Sequence, residues 1–330
     1  MLAGPVMTEV AVQTHHGKFR DPDWTASGER RAQVPLQALR TLWINTGSLC
    51  NIECRNCYIE SSPENDRLVY MTRAEVASFL DEIARELLPT REIGFTGGEP
   101  FMNPDILGML DDALARGHSV LVLTNAMQPM QRPRMQSGLL ALRDEHGARF
   151  AIRVSLDHYG KALHEEERGP DTYDKTVEGI DWLARHGFAL ALAGRTYSGE
   201  SEESLRAGYR RLAHERGWPI DATDPASLVL FPEMDVRVDV PEITTSCWGI
   251  LHKSPSDVMC AASRMVVKRK GARPVVLPCT LLPYDPAFEM GATLSDAARA
   301  NGGMFDHGAV KLCHPHCAKF CVLGGGSCSA

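Results

Sequence analysis

From Leu39 onward the apolar positions of this chain alternate between two rhythms. Short apolar runs read as strands over Leu39 to Asn45, Glu92 to Thr96, Ser119 to Thr124, Arg149 to Ser155, Phe188 to Thr196 and Leu228 to Phe231. Between them, apolar residues recur every three or four positions, which predicts helices. These cover Thr72 to Leu88, Pro104 to Arg116, a stretch within Gln131 to Glu145, Tyr173 to His186, and Ser201 to Arg216. In the first helix Val76, Phe79, Leu80, Ile83 and Leu87 share one face, and Thr72 with Glu75 makes a capping box. Gly117, Gly147, Gly187 and Gly217 punctuate the later helices. Strands alternating with helices imply right-handed βαβ units and a parallel sheet. About six such units make an α/β fold, a partial (β/α)6 barrel or a doubly wound sheet, with its site at the C-terminal ends of the strands.

The flanks follow other rules. Residues 1–38 are polar and broken by Pro5, Gly17, Pro22, Gly28 and Pro35, and read as a mobile arm or a short N-terminal cap. The strand–helix core is expected over 39–240. From 241 to 330 the periodicity weakens while cysteines accumulate, which marks a small Cys-rich second module.

Composition narrows the class. The chain has 330 residues, 44% hydrophobic and 23% charged, with net charge −7. That is ordinary for a globular protein and lacks the basic footprint of nucleic-acid binding. The one short basic run, Lys268-Arg269-Lys270, reads as a solvated turn. The first residues lack the basic and apolar regions of a signal peptide, and no apolar run has the roughly 18 residues a membrane helix needs. A cytoplasmic location with no membrane partner is the expectation. In a reducing compartment ten cysteines point to metal or redox chemistry rather than five disulfides.

The cysteines fall in two groups. Cys50, Cys54 and Cys57 follow the first strand with spacing C-x3-C-x2-C and no fourth cysteine nearby. A closed zinc site or a fully thiolate-ligated cubane takes four ligands. Three thiolates leave one iron of a cubane open to a ligand; buried thiols or part of a zinc site are the alternatives. The other strand ends carry polar groups. Gly97-Gly98-Glu99-Pro100 follows the second, where two glycines permit a close backbone approach and Glu99 offers an acceptor for an ammonium group. Asn125 follows the third strand. Ser155 and Asp157 follow the fourth, spaced to face one side. Arg195 and Thr196 close the fifth. Downstream, Arg168 is a candidate to hold an anion, and His164 reads as an exposed loop histidine.

Together these elements resemble the radical S-adenosylmethionine (SAM) superfamily over about Leu39 to Phe231. The resemblance rests on the three cysteines, Gly97-Gly98-Glu99-Pro100, Thr124-Asn125 and Ser155-Leu156-Asp157. It implies a [4Fe–4S] cluster on Cys50, Cys54 and Cys57, with SAM chelating the open iron. Gly97, Gly98 and Glu99 would meet the methionine amino group, Ser155 and Asp157 the ribose or carboxylate, and Arg168 or Arg195 the carboxylate; Asn125 belongs to the same expected pocket. It further implies reductive cleavage of SAM to a 5′-deoxyadenosyl radical, hydrogen abstraction from a substrate, and an electron donor such as a flavodoxin or ferredoxin. In one place the chain departs from the pattern: the family usually has an aromatic residue before the third cysteine, and here that residue is Asn56.

The late cysteines are Cys247, Cys260, Cys279, Cys313, Cys317, Cys321 and Cys328. Their arrangement resembles the auxiliary-cluster extensions called SPASM or twitch domains, although the late spacing differs from the SPASM pattern. The resemblance implies one or two auxiliary [4Fe–4S] clusters on Cys260, Cys279, Cys313, Cys317, Cys321 and Cys328, with Cys247 a free thiol. A zinc site on Cys313, Cys317 and Cys321 with His314 or His316 is the alternative. Such extensions accompany modification of peptides or proteins and also occur in enzymes acting on small molecules. The N-terminal arm reads as too short for a separate peptide-recognition domain. An iron–sulfur electron carrier or redox sensor is the reading from another class, but a carrier needs no SAM pocket.

Overall fold

The computed structural model of the chain describes residues 17–232 and 238–324. After a short strand β1 (Gln33–Val34) the units follow in order: β2 (Thr41–Asn45), α1 (Arg73–Arg85), β3 (Glu92–Thr96), α2 (Ile106–Ala115) and β4 (Ser119–Thr124). Next come α3 (Gln128–Gln131), α4 (Pro133–His146), β5 (Phe150–Ser155), α5 (Lys161–Arg168), α6 (Tyr173–Arg185), β6 (Ala189–Arg195), α7 (Glu202–Arg216) and β7 (Leu228–Phe231). The last segment holds α8 (Cys247–Ile250), β8 (Ser263–Lys268), β9 (Pro274–Leu277), α9 (Leu294–Arg299), β10 (Phe305–Asp306), β11 (Ala309–Lys311) and a π-helix over Cys317–Leu323.

Strands β2 to β7 pair in parallel in chain order, the open barrel that the alternation predicts. The sheet then crosses position 240: β8 pairs parallel to β2 on its free edge, and β9 returns antiparallel to β8. Inside the barrel Trp43 is fully buried against β3, where a Cβ on Gly94 would sit 2.5 Å from its ring. Glycine is therefore required there by packing, and the indole fills the volume below the rim.

Local signals set the element ends. Thr72 and Glu75 form the expected capping box, and Val76, Phe79, Leu80 and Ile83 are buried. Leu87 differs from the expectation. The helix ends at Arg85, Leu87 takes a left-handed φ of 52°, and its side chain is 88% exposed. The chain leaves the helix before the fifth apolar position returns to the core face.

Residues 17–38 are packed rather than loose. Strand β1 pairs with β11, and the buried Arg31 donates to Glu242 at 2.6 Å and to the carbonyl of Leu312 at 3.3 Å. The basic run is neutralised residue by residue: Lys268 meets Glu75 at 2.7 Å, Arg269 meets Glu289, and Lys270 meets Asp66. Among the described residues no helix is long and apolar enough to cross a membrane.

Candidate active site

The loop after β2 carries the first three cysteines, and the turn after β3 braces it from below. Gly98 N–H donates to the carbonyl of Gly47 at 2.8 Å, and Glu99 N–H donates to that of Leu49 at 3.1 Å. Gly97 has φ of 143°, and a Cβ there would lie 2.5 Å from the carbonyl oxygen of Gly47. The two glycines are thus demanded by backbone packed against backbone. Cys50 is buried and Cys54 and Cys57 half-buried. Asn125, at the end of β4, donates to Asn51 at 3.0 Å and approaches the sulfur of Cys50 at 3.8 Å.

All three cysteines line one cavity of about 150 Å³. Gly97, Gly98, Asn125, Ser155, Asp157, Arg168 and Arg195 line it too, so groups from four strand ends meet on one rim. Glu99 stands behind the wall. Its fully buried carboxylate accepts from Thr124 Oγ1 at 2.8 Å, Asn125 N–H at 2.9 Å and Phe101 N–H at 3.1 Å. Burial pushes its carboxyl up to about 7 against those donors.

Asp157 and Arg168 form a buried ion pair at 3.0 Å. Burial acts to raise the Asp157 carboxyl, but Arg168 and Arg195 outweigh it and hold it below the usual carboxylate range. Arg168 ends helix α5 rather than lying in a loop. His164, on the same helix, corrects the expectation of an exposed histidine: it is wholly buried, and neither ring nitrogen has a hydrogen-bond partner. Burial lowers its pKa to about 3, so the ring is neutral. One turn separates it from Arg168, and the helix turns both toward the core. Nothing in the sequence from Leu156 to Gly169 marked that helix, because its apolar face is short.

Burial pushes the Cys50 thiol up to about 12, with the Glu99 carboxylate adding to the shift, and the Cys54 thiol up to about 11 against the pull of Arg168. Thiols held this high are poor nucleophiles and poor redox sensors. A bound metal reverses the balance, because ligation deprotonates the sulfur outright.

A second, apolar cavity is lined by Cys260, Cys279, Cys317 and Cys321. They come from the turn before β8, the loop after β9 and the π-helix. The buried guanidinium of Arg264 donates to the carbonyls of Cys260 at 2.6 Å and Ser263 at 2.7 Å, and its charge interacts with Cys260 and Cys279. A buried cation beside two of the four sulfurs fits a thiolate-bound cluster, whose net charge is negative. Cys313 does not line this cavity, and its thiol donates to the carbonyl of Asp21 at 3.4 Å. Cys247 accepts from Thr244 N–H at 3.3 Å. Cys328 lies outside the described residues. Among the described residues no three cysteine sulfurs lie mutually within 4.8 Å. Four sulfurs bound to one zinc would sit roughly 3.8 Å apart, given a Zn–S distance of about 2.3 Å. In number, the three cysteines of the first cavity and the four of the second match a cubane with one open iron and a fully ligated cubane.

The two cavities share a wall. Phe320, between Cys317 and Cys321, borders the first cavity and stacks on Phe231 at the end of β7, with ring centroids 5.4 Å apart. Leu281, two residues after Cys279, borders it as well.

An open parallel barrel, a three-cysteine loop on its C-terminal rim and a cavity beside that loop lined by polar groups from the strand ends define the class: an α/β protein built to hold an iron–sulfur cluster against a bound cofactor. Residues 44–207, about half of the chain, match the Radical SAM superfamily, and that part of the chain is a radical SAM domain. Members of that superfamily use a [4Fe–4S] cluster and SAM. The chain is 29% identical over 170 residues to the antilisterial bacteriocin subtilosin biosynthesis protein AlbA of Bacillus subtilis (strain 168), covering 51% of this chain and 35% of AlbA. It thus spans about a third of that relative's length. Among solved structures, SuiB of Streptococcus suis bound to S-adenosylmethionine superposes with a TM-score of 0.57 at 14% identity, covering 81% of this chain and 66% of SuiB. The structure of anSMEcpe with bound AdoMet gives a TM-score of 0.56 at 16% identity, covering 79% and 80%. These likenesses establish the shared fold.

Proposed function

We propose that this chain cleaves SAM reductively and uses the resulting radical to abstract a hydrogen atom from a peptide or protein side chain. The observation that carries the reading is the convergence of Cys50, Cys54 and Cys57 with the strand-end polar groups on one cavity, whose far wall is built by the auxiliary-cysteine segment. When bound to the three cysteines, a [4Fe–4S] cluster supplies the electron that splits SAM into methionine and the 5′-deoxyadenosyl radical.

The protein's own groups bind and orient. The backbone of Gly97 and Gly98 faces the methionine amino group. Arg168, held by Asp157, takes the carboxylate, and Ser155 and Asn125 meet the ribose. Glu99 acts from behind by fixing the end of β4. The apolar side chains of Phe231, Leu281 and Phe320 exclude water from the radical. Cys260, Cys279, Cys317 and Cys321 hold one auxiliary [4Fe–4S] cluster, which uses four of the seven late cysteines. A flavodoxin or ferredoxin delivers the electron. A peptide substrate is supported by AlbA, named for bacteriocin biosynthesis, and by the SuiB fold, which has also been solved bound to the precursor peptide SuiA.

Anaerobically reconstituted protein given dithionite and SAM is expected to form 5′-deoxyadenosine, and Cys54→Ala to form none. A filled cluster with no 5′-deoxyadenosine would overturn the reading. Deuterium passing from a labelled peptide into 5′-deoxyadenosine then tests the substrate class; transfer only from small metabolites would refute the peptide assignment.

A further inference from the structure

Helix α5 fastens the cysteine loop to the sheet through a side chain that does not line the cavity. Glu167 is 3% exposed. Asn56, between Cys54 and Cys57, donates its amide to both carboxylate oxygens of Glu167 at 3.1 Å. Arg195, at the end of β6, donates to the same carboxylate at 3.3 Å. The backbone N–H of Arg55 donates to the carbonyl of Glu167 at 2.8 Å, and the Arg55 side chain reaches Glu166 at 3.1 Å. Asn56 and Arg195 both line the cavity. One buried carboxylate therefore holds, from behind, two polar side chains that face the ligand.

We propose that Glu167 is the positioning residue for SAM, latching the Cys54–Cys57 turn and aiming Arg195 into the cavity. The proposal rests on the reading that this cavity takes SAM beside the three-cysteine cluster. The latch has a chemical sense: an amide has two donors and a carboxylate only acceptors. The donor sits on the loop and the acceptor on the helix, so the residue before the third cysteine is committed to the protein. A phenyl ring at position 56 has no donor and could not make this contact, and no single aromatic donor could reach both carboxylate oxygens as the two amide hydrogens do, which accounts for an asparagine there. The carboxylate also matches the charge of Arg195, so a polar loop is pinned without leaving a lone buried charge.

The test compares Asn56→Asp, Glu167→Gln and the double variant in cluster-loaded protein. Equilibrium dialysis with radiolabelled SAM gives the dissociation constant, and electron paramagnetic resonance of the reduced cluster gives its response to added SAM. Asn56→Asp sets two carboxylates face to face and is expected to weaken SAM binding by about tenfold to a hundredfold, the range a buried charge-assisted hydrogen bond commands. It should also blunt the spectral change on adding SAM. Asn56→Asp with Glu167→Gln restores one donor facing one acceptor in the opposite sense, and is expected to return binding to within about fivefold of the parent, a residue of roughly 1 kcal/mol.

Parent-like binding in Asn56→Asp would overturn the latch. So would a double variant no better than Asn56→Asp, or a loss confined to thermal stability and iron content with unchanged SAM affinity. A parent protein that binds SAM but forms no 5′-deoxyadenosine would defeat the proposed function and leave the latch to be judged on affinity. A parent that does not bind SAM would defeat both.

Discussion

Gly98→Ala should disable this protein by forcing the cysteine loop away from the sheet. A Cβ at position 98 would sit 2.6 Å from the carbonyl carbon of Leu49 and 2.7 Å from the oxygen of Ser48, and closer still to the oxygen of Leu49. All three are backbone atoms, so no side chain can rotate away. To reach ordinary contact at 3.4 Å the cysteine loop must retreat by about 1 Å. Overpacking of this kind costs about 1–3 kcal/mol. The retreat also strains the two backbone hydrogen bonds from Gly98 and Glu99 to the loop, at about 1 kcal/mol each. A loss of roughly 3–5 kcal/mol is a large part of the 5–15 kcal/mol that holds a typical domain. Gly117→Ala is the comparison. No atom lies within 4 Å of its added Cβ, and only its φ of 92° opposes the change, at about 1–2 kcal/mol. Urea unfolding of cluster-free protein gives both values, and iron–sulfide analysis after reconstitution reports whether the loop still takes a cluster. The reasoning is refuted if Gly98→Ala loses no more stability than Gly117→Ala and loads its three-cysteine cluster normally.

Three further outcomes follow from the geometry. Cys279→Ser and Cys317→Ser should each lower the iron content of the loaded chain by about half, one cubane of two, and keep 5′-deoxyadenosine formation, while Cys247→Ser and Cys313→Ser hold the full iron; a Cys313→Ser variant that loses as much iron would move the ligand set. Arg168→Met strips the ion pair from the buried Asp157 and should cost about 3–5 kcal/mol in urea unfolding, part of it recovered by adding Asp157→Asn; an equal loss in the double variant would show that packing, not charge, was removed. Glu99 has a folded pKa of about 7, above its ordinary 4.5, so its contribution is fully present below about pH 4.5 and lost as pH rises through about 7. Cluster-free Glu99→Gln should accordingly show a flatter stability profile between those values, and an unchanged slope would refute the assignment.

Short-range signals were legible before the fold was known. The strands Glu92–Thr96, Ser119–Thr124 and Leu228–Phe231 and the Thr72 capping box stand where the sequence places them, because periodicity and caps depend on neighbours within a turn or two. The C-x3-C-x2-C loop and the glycine turn were legible for the same reason, and their position after strands implied one shared rim.

What those groups do to one another was not legible. The glycine turn offered Glu99 as an acceptor for an ammonium group, but its carboxylate accepts hydrogen bonds from Thr124, Asn125 and Phe101 behind the cavity wall. His164 looked like a loop residue until helix α5 buried it. The late cysteines have no periodicity that could sort them. Only the path of the chain through β8, β9 and the π-helix brings Cys260, Cys279, Cys317 and Cys321 to one cavity. The same path sets Phe320 on the wall of the first cavity, and helix α5 sets Glu167 behind Asn56. By itself the sequence determined the elements and the cysteine loop, since both are encoded locally. Tertiary structure alone decided the partners, since contacts between residues a hundred positions apart exist only once the sheet has closed around them.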